Sequence, residues 1–357
     1  MKSSSLAILQ PEIPHYRTEF FHLLEEKCGK VDIFTFVGKK DSENCGLMVQ
    51  MNSIHIACRL FGPILIYNPL PLLSRRYDTL VLMLHFGHLT TWLLLLTRFI
   101  HRKKIVVWGQ GISVKRYLKE EINPDWRLQW MIKLADGAWL YMDKEYQLWR
   151  SIFPNKPMAA LGNSLSGIDE MIKYQPTESK DNLKKKYGII EQHVFVFCAR
   201  FENPYRRTDL LLEIIEKLDS TYNGFIIIGT GKNKPDFSHY PNVYDFGALY
   251  DTTIKRELFY LSDLYLQPGW VGLSIVEAMA YGKPICTFVR SVDTLQCVEY
   301  SYIQDGVNGM IFENMNDCLE RLSNCSYDKI LFMGENAKKT ILHFSPQQMA
   351  KNAILIL

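Results

Sequence analysis

Along the first 150 residues, apolar positions fall alternately into two rhythms. Short unbroken apolar runs at Leu6–Leu9, Val31–Phe36, Thr79–Leu84, Lys104–Val107 and Ala138–Tyr141 have the length and β-branched content of strands covered on both faces. Between them, apolar residues at three- and four-residue spacing predict helices over Arg17–Glu26, Leu89–Ile100 and Trp126–Leu134, and onward from Lys144. Strands alternating with helices signal a doubly wound parallel sheet.

Around Leu161–Asp169 the rhythm breaks, and Tyr174–Lys186 is polar and charged, which predicts an interdomain linker. The alternation then restarts: Val194–Cys198, a helix over Thr208–Leu218, Phe225–Ile228, Val243–Phe246, a helix over Lys255–Leu261, Leu264–Leu266, a helix from Ser274, and Ile285–Phe288. The fold class is therefore α/β, with two Rossmann-like doubly wound domains, 1–170 and 171–345, facing a central cleft beyond the strand ends, where open α/β sheets bind ligands.

The length of 357 residues suits two domains, and 47% hydrophobic with 22% charged residues excludes a mostly disordered chain. A net charge of +3 argues against nucleic acid as a partner, although Lys39-Lys40, Arg75-Arg76, Arg102-Lys103-Lys104 and Lys115-Arg116 concentrate basic charge in the first third. The 8 cysteines, Cys45 among them, form no Cys-x-x-Cys pair, so neither a metal cluster nor a disulfide framework is expected. The opening residues read as a strand, and Leu89–Ile100 is shorter than the roughly 20 residues that span a bilayer. The expectation is a cytosolic chain.

Gln267-Pro268-Gly269-Trp270-Val271-Gly272-Leu273-Ser274 joins a strand to a helix that carries Glu277 one turn in, and Gly282-Lys283-Pro284 turns the chain back to a strand. Free N–H groups at a helix start attract an anion, Gly272 admits close backbone approach, and Glu277 can accept hydrogen bonds from a vicinal diol such as a ribose. A nucleoside diphosphate satisfies all three, although turns of this kind also occur in α/β domains that bind nothing.

The segment resembles the signature of GT-B glycosyltransferases of the GT4 type, in a bacterial surface-polysaccharide branch. Gly272-Leu273, Glu277 and the run Ala278-Met279-Ala280-Tyr281-Gly282-Lys283-Pro284 match it, whereas Gly269 stands where the family has its first Glu. The resemblance implies that Glu277 holds the ribose and that Gly269, Trp270, Gly272, Leu273 and Ser274 line the donor. The loop from Ala199 to Leu211 resembles the family's Gly-Arg-Leu loop with a basic residue six positions on. That assigns Arg200 and Arg206 to a diphosphate clamp, with Arg207 as a substitute; fixed guanidinium groups stabilise the charge that grows as the sugar bond breaks. Ile228-Gly229-Thr230-Gly231 adds Gly229 and Gly231 to the donor side, and Phe246-Gly247-Ala248-Leu249-Tyr250 resembles the family's Phe-x-Gly-x-Leu stretch, which implies that backbone and Leu249 hold the nucleobase; plain turn chemistry would account for either. By the same resemblance the last helix, 346–357, crosses back to the first domain.

The acceptor is expected beyond the strand ends of the first domain, at His15, Tyr16 and Arg17, at His85 and His88, and at Gln110, where related enzymes often carry His. His85 and His15 are the candidates for acceptor chemistry. The implied reaction is retaining transfer from a nucleotide diphosphate sugar to a lipid-linked glycan in lipopolysaccharide or capsule synthesis, at the inner face of the plasma membrane. No Asp-x-Asp pair ends a strand, so no metal or other cofactor is expected. Peripheral contact with anionic lipid is read from the Leu89–Ile100 helix, with Trp92, Arg98 and the adjacent basic cluster. A sugar-nucleotide epimerase of the same architecture and a non-catalytic partner subunit are the alternatives.

Overall fold

The computed structural model describes residues 4–37 and 51–357; Lys39, Lys40 and Cys45 lie outside them. Two compact units form, one from Met1–Ser166 with Phe344–Leu357, the other from Gly167–His343. The sequence had put these divisions at 170/171 and 345/346.

The first unit is built on an all-parallel sheet of β1 (Ser5–Gln10), β2 (Lys30–Thr35) and β3 (Ile54–His55), then β6 (Thr79–Met83), β7 (Lys104–Gly109), β8 (Gly137–Leu140) and β9 (Met158–Ala160), in the order β3-β2-β1-β6-β7-β8-β9. Successive side chains of β1 enter opposite cores: Ala7 and Leu9 on one face, Leu6 and Ile8 on the other. This is why the strand reads as an unbroken apolar run. The second face is closed by the helix Pro346–Ile354, whose Met349, Ala350 and Ala353 join Leu6 and Ile8, while the buried Trp139 donates from Nε1 to the Ala353 carbonyl at 3.1 Å.

A hairpin that the sequence reading did not anticipate, β4 (Cys58–Phe61) and β5 (Ile64–Tyr67), pairs antiparallel apart from this sheet. The expected helix over 89–100 is interrupted: Leu89–Leu96 and Arg98–His101 meet at Thr97, whose Oγ1 donates back to the Leu93 carbonyl at 2.7 Å.

The second unit holds β10 (His193–Cys198), β11 (Asn223–Ile228), β12 (Val243–Asp245), β13 (Leu264–Leu266), β14 (Ile285–Phe288) and β15 (Gly309–Phe312), all parallel, in the order β12-β11-β10-β13-β14-β15. The order reverses between β10 and β13, the switch point at which doubly wound sheets open a ligand crevice. The polar stretch expected as linker is largely folded. Ile168–Lys173 and Lys180–Tyr187 are helical, the latter capped by Ser179 and anchored by the fully buried Leu183. One apolar anchor in eight residues is too sparse to register as periodicity.

Candidate functional site

Two loops leave the sheet of the second unit at its switch point. The first follows β10 and carries Arg200 and the 3-10 turn Pro204–Arg206; the second follows β13 and carries Gly269 to Leu273. Gly229 and Gly231, at the end of β11, lie beneath the first loop. A Cβ on Gly229 would stand 2.0 Å from the Ala199 carbonyl oxygen, and one on Gly231 2.5 Å from the Phe201 carbonyl carbon. Their glycine identity is set by this packing.

The two loops are clasped together. The Tyr205 and Trp270 rings stack at 5.2 Å, and Arg206 donates from Nε to the Arg200 carbonyl at 2.9 Å and from Nη1 to the Trp270 carbonyl at 3.2 Å. Arg206 is half-buried, which lowers its pKa, yet a guanidinium remains charged. Arg200 is exposed at the mouth. Arg207 is committed within the loop: it chelates Asp209 and donates to Thr294 Oγ1 at 2.7 Å.

Two fully buried glutamines fix the second loop. Gln267 accepts at Oε1 from Tyr265 (2.8 Å) and Ser274 (2.9 Å) and donates from Nε2 to the carbonyls of Gly269 (3.2 Å) and Trp270 (2.7 Å). Gln296 accepts from the Val271 N–H at 2.9 Å and donates to the Phe288 carbonyl at 2.9 Å. Sequence reasoning did not nominate Gln296, because no local motif connects a residue to a loop 25 positions away. Gly269 keeps a negative φ, and Trp270 takes the left-handed conformation at φ 52°. Gly269 is nevertheless required, since a Cβ there would lie 2.5 Å from the Tyr205 carbonyl oxygen.

The helix after this loop, Ser274–Ala280, is only 7 residues long and has no side-chain N-cap. Among the described residues, the N–H groups of Gly272, Leu273 and Ser274 donate to no protein acceptor, and a Cβ on Gly272 would meet open space. A helix this short contributes a modest dipole, which leaves most of the positive potential to the arginines. Glu277 is not a lone carboxylate: Lys255 Nζ lies 2.7 Å from Oε1 and 2.8 Å from Oε2. Burial opposes the Lys255 charge, but Cys198 and Glu277 facing it raise its pKa above the usual lysine value. Burial pushes the Cys198 thiol up to about 11, and Lys255, Glu277 and Arg206 all act on it, which sets the three around the end of β10. Leu249 is half-buried in the loop after β12, and the neighbouring Gly247 carbonyl accepts from Gly229 N–H at 2.7 Å. Lys283 donates to the carbonyls of Tyr260 (3.1 Å) and Ser262 (2.6 Å), a purely structural tie.

In the first unit the expected acceptor residues separate. His15 is exposed and Tyr16 half-buried, in the 3-10 turn His15–Arg17 after β1. Arg17 is buried, contrary to a place on an open acceptor surface: its guanidinium donates to Asn163 Oδ1, to the Ser164 carbonyl at 3.1 Å and to Met349 Sδ at 3.1 Å, tying the C-terminal helix to the sheet. His85 keeps part of its ring in solvent and accepts at Nδ1 from Gly87 N–H at 3.2 Å, and desolvation of the covered part lowers its pKa. His88, with its ring 4.8 Å away, is buried, and its Nδ1 has no hydrogen-bond partner among the described residues. Gln110 is half-buried after β7. Among the described residues no cluster of three or more His, Cys, Asp or Glu could hold a metal ion, and no helix is long and apolar enough to cross a membrane.

Residues 192–326 match the family described as glycosyl transferases group 1. No curated protein matches the sequence significantly. Among solved structures, a glycosyltransferase from Rickettsia africae ESF-5 superimposes with a TM-score of 0.68 at 15% identity, over 100% of this chain and 98% of its own. Anabaena Alr3699/HepE in complex with UDP gives 0.66 at 14% identity over 98% of each chain. The apo form of the lipopolysaccharide outer core galactosyltransferase WaaB gives 0.64 at 14%, over 99% and 98%. At these identities the likeness establishes a common fold, GT-B.

Proposed function

We propose, from the match of residues 192–326 to the glycosyl transferases group 1 family, that this chain is a glycosyltransferase that moves a sugar from a nucleoside diphosphate sugar to a lipid-linked glycan of the cell surface, with retention and without metal. The convergence of Arg200, Arg206 and Glu277 on the ends of β10 and β13 carries the reading. Glu277 accepts from the ribose hydroxyls, the arginines and the open N–H groups of Gly272–Ser274 hold the diphosphate, and the clasped Gly269–Trp270 turn faces the sugar. As the bond from the anomeric carbon to the β-phosphate oxygen breaks, the new bond to the acceptor oxygen forms on the same face. The acceptor proton passes to the departing phosphate oxygen, and the growing charge falls to the guanidinium groups. The Anabaena protein was solved with UDP and with UDP-glucose, which makes uridine donors the first to test, and the WaaB fold likeness supports a surface glycan as acceptor.

The deciding experiment offers purified full chain a panel of nucleotide sugars, with and without EDTA, and follows binding, release of nucleoside diphosphate and change in the sugar. Binding with diphosphate release that EDTA leaves intact supports the reading. Interconversion of the donor sugar with no acceptor present makes it an epimerase, and a folded protein that binds none of the panel makes it a non-catalytic partner.

A further inference from the structure

The helix Leu89–Leu96 is apolar on both faces: Leu94 and Leu95 enter the core, yet further leucines stand outside. Thr90 and Thr91 face the interior at 5% and 0% exposure, while Leu93 and Leu96 face solvent at 52% and 58%. Leu89, Leu93, Leu96 and Ile100 follow helical spacing and form one exposed stripe, which Phe99 widens. The polar start of the inner face is built in, because both threonines are satisfied by one residue of the hairpin. Thr90 Oγ1 accepts from the Tyr67 N–H at 3.0 Å and donates to its carbonyl at 2.9 Å, and Thr91 Oγ1 pairs with the Tyr67 hydroxyl at 2.9 Å.

The hairpin repeats the pattern. Leu65 and Tyr67 point inward, and Leu65 N–H donates to the Gly87 carbonyl at 2.9 Å, which seats the hairpin beside the helix start. Its outer positions are Phe61, Ile64 and Ile66, with Phe61 at 57% exposure next to the Gly62-Pro63 tip. Two neighbouring elements thus turn large apolar side chains outward, a surface that soluble monomers rarely expose without a partner.

Charge identifies the partner. Between residues 51 and 104 the sequence has five arginines and two lysines but one carboxylate, Asp78; Arg98 is taken by Asp136, and Lys103 and Lys104 by backbone carbonyls, which leaves four arginines. Arg59, Arg75, Arg76 and Arg102 are exposed, and Arg59 pairs across the hairpin with the outward Ile66. A second copy of the chain would set arginines against arginines in an isologous contact. An anionic bilayer offers acyl chains to the leucines and headgroups to the arginines. Of the residues that sequence alone nominated, Trp92 is tied to the Phe86 carbonyl and Arg98 to Asp136; the hairpin supplies what they do not.

We propose that the hairpin Cys58–Tyr67 and the outer stripe of the following helix dock the chain on an anionic membrane surface, with Phe61 and Ile64 entering the acyl boundary. The surface rests on the glycosyl-transfer reading only in placing the chain where a lipid-linked acceptor lies. Vesicle binding needs neither donor nor turnover, so its failure would leave that reaction standing.

The test is co-sedimentation of the full chain with phosphatidylcholine vesicles, with and without about one third phosphatidylglycerol. Binding is expected on the anionic vesicles only. It should weaken roughly tenfold in a Phe61→Ser, Ile64→Ser double variant and in an Arg75→Glu, Arg76→Glu variant. These side chains are exposed, so an unchanged Tm checks that the fold survives. In a second measurement, Phe61→Trp fluorescence should be quenched by brominated acyl chains. Absence of sedimentation, binding indifferent to both variants, or a concentration-dependent dimer that Phe61→Ser dissociates in place of vesicle binding would overturn the proposal.

Discussion

Lys255 and Glu277 form an ion pair across the second unit's switch point, with Nζ 2.7 Å from Oε1 and 2.8 Å from Oε2. The carboxylate proposed to accept from the ribose is thus held in place, and a lysine that no motif nominated does the orienting. Glu277→Ala should weaken nucleotide binding by about 1.5–3 kcal/mol, the scale of hydrogen bonds to a charged group. Lys255→Met should weaken it by roughly tenfold, and the double variant should cost little more than Glu277→Ala alone, since both act through one carboxylate. Calorimetric titration with UDP reads all three. An unchanged Kd in Lys255→Met would reduce the pair to a structural contact.

Arg206 performs two tasks, bridging the carbonyls of Arg200 and Trp270 while presenting charge. A lysine keeps the charge and loses the bridge, so Arg206→Lys should lower kcat by about 10², close to the effect of Arg206→Ala. Arg200→Ala should do the same without changing Tm, because Arg200 is exposed. Arg207→Ala is expected to behave oppositely: it removes the ties to Asp209 and Thr294, lowering Tm while turnover persists. Steady-state kinetics alongside thermal melts separate the two behaviours.

These residues show how far the sequence could be read. Strands such as Leu264–Leu266 and Ile285–Phe288 are buried on both faces and appear as bare apolar runs, so their positions were legible to the residue. The hairpin was missed because its outward positions are also apolar, which erases the alternation that marks a half-exposed strand. At the candidate site, Arg200, Arg206, Gly269 and Glu277 lie in local motifs, which is why the sequence alone could nominate them. Lys255 and Gln296 reach the same place from 22 and 25 residues away, a proximity that only the fold creates. Arg17 illustrates the reverse: beyond a strand end it read as a ligand-facing base, yet the C-terminal helix covers it.

His88 should make the protein acid-sensitive. Burial, with the nearby His85 adding, lowers its pKa from 6.5 to about 4. The unfolded chain therefore takes up this proton first as pH falls. The stability that neutral His88 contributes is complete above about pH 6.5 and is lost progressively toward pH 4, up to roughly 3 kcal/mol. Melting wild type and His88→Gln in parallel across this range isolates the effect. The wild-type Tm should fall relative to the variant, and parallel curves would mean that His88 does not titrate there.

The two glycines of the Gly269–Leu273 loop should respond differently to the same added methyl group. Gly269 has no positive φ, so Gly269→Ala brings no left-handed strain; its Cβ would instead stand 2.5 Å from the Tyr205 carbonyl oxygen and 2.9 Å from Arg207 Cγ. Relief would require the clasp between Tyr205 and Trp270 to open, so Tm and turnover should fall together, by about 1–3 kcal/mol in stability. At Gly272 the Cβ meets no protein atom within 4 Å and the backbone is unstrained, so Gly272→Ala should melt like wild type. If that open space admits the diphosphate, the methyl group intrudes there, and nucleotide affinity should drop although the fold is untouched. Paired melts and UDP titrations of the two variants decide the matter. Full affinity in Gly272→Ala would move the diphosphate away from this turn and leave the clamp to Arg200 and Arg206 alone.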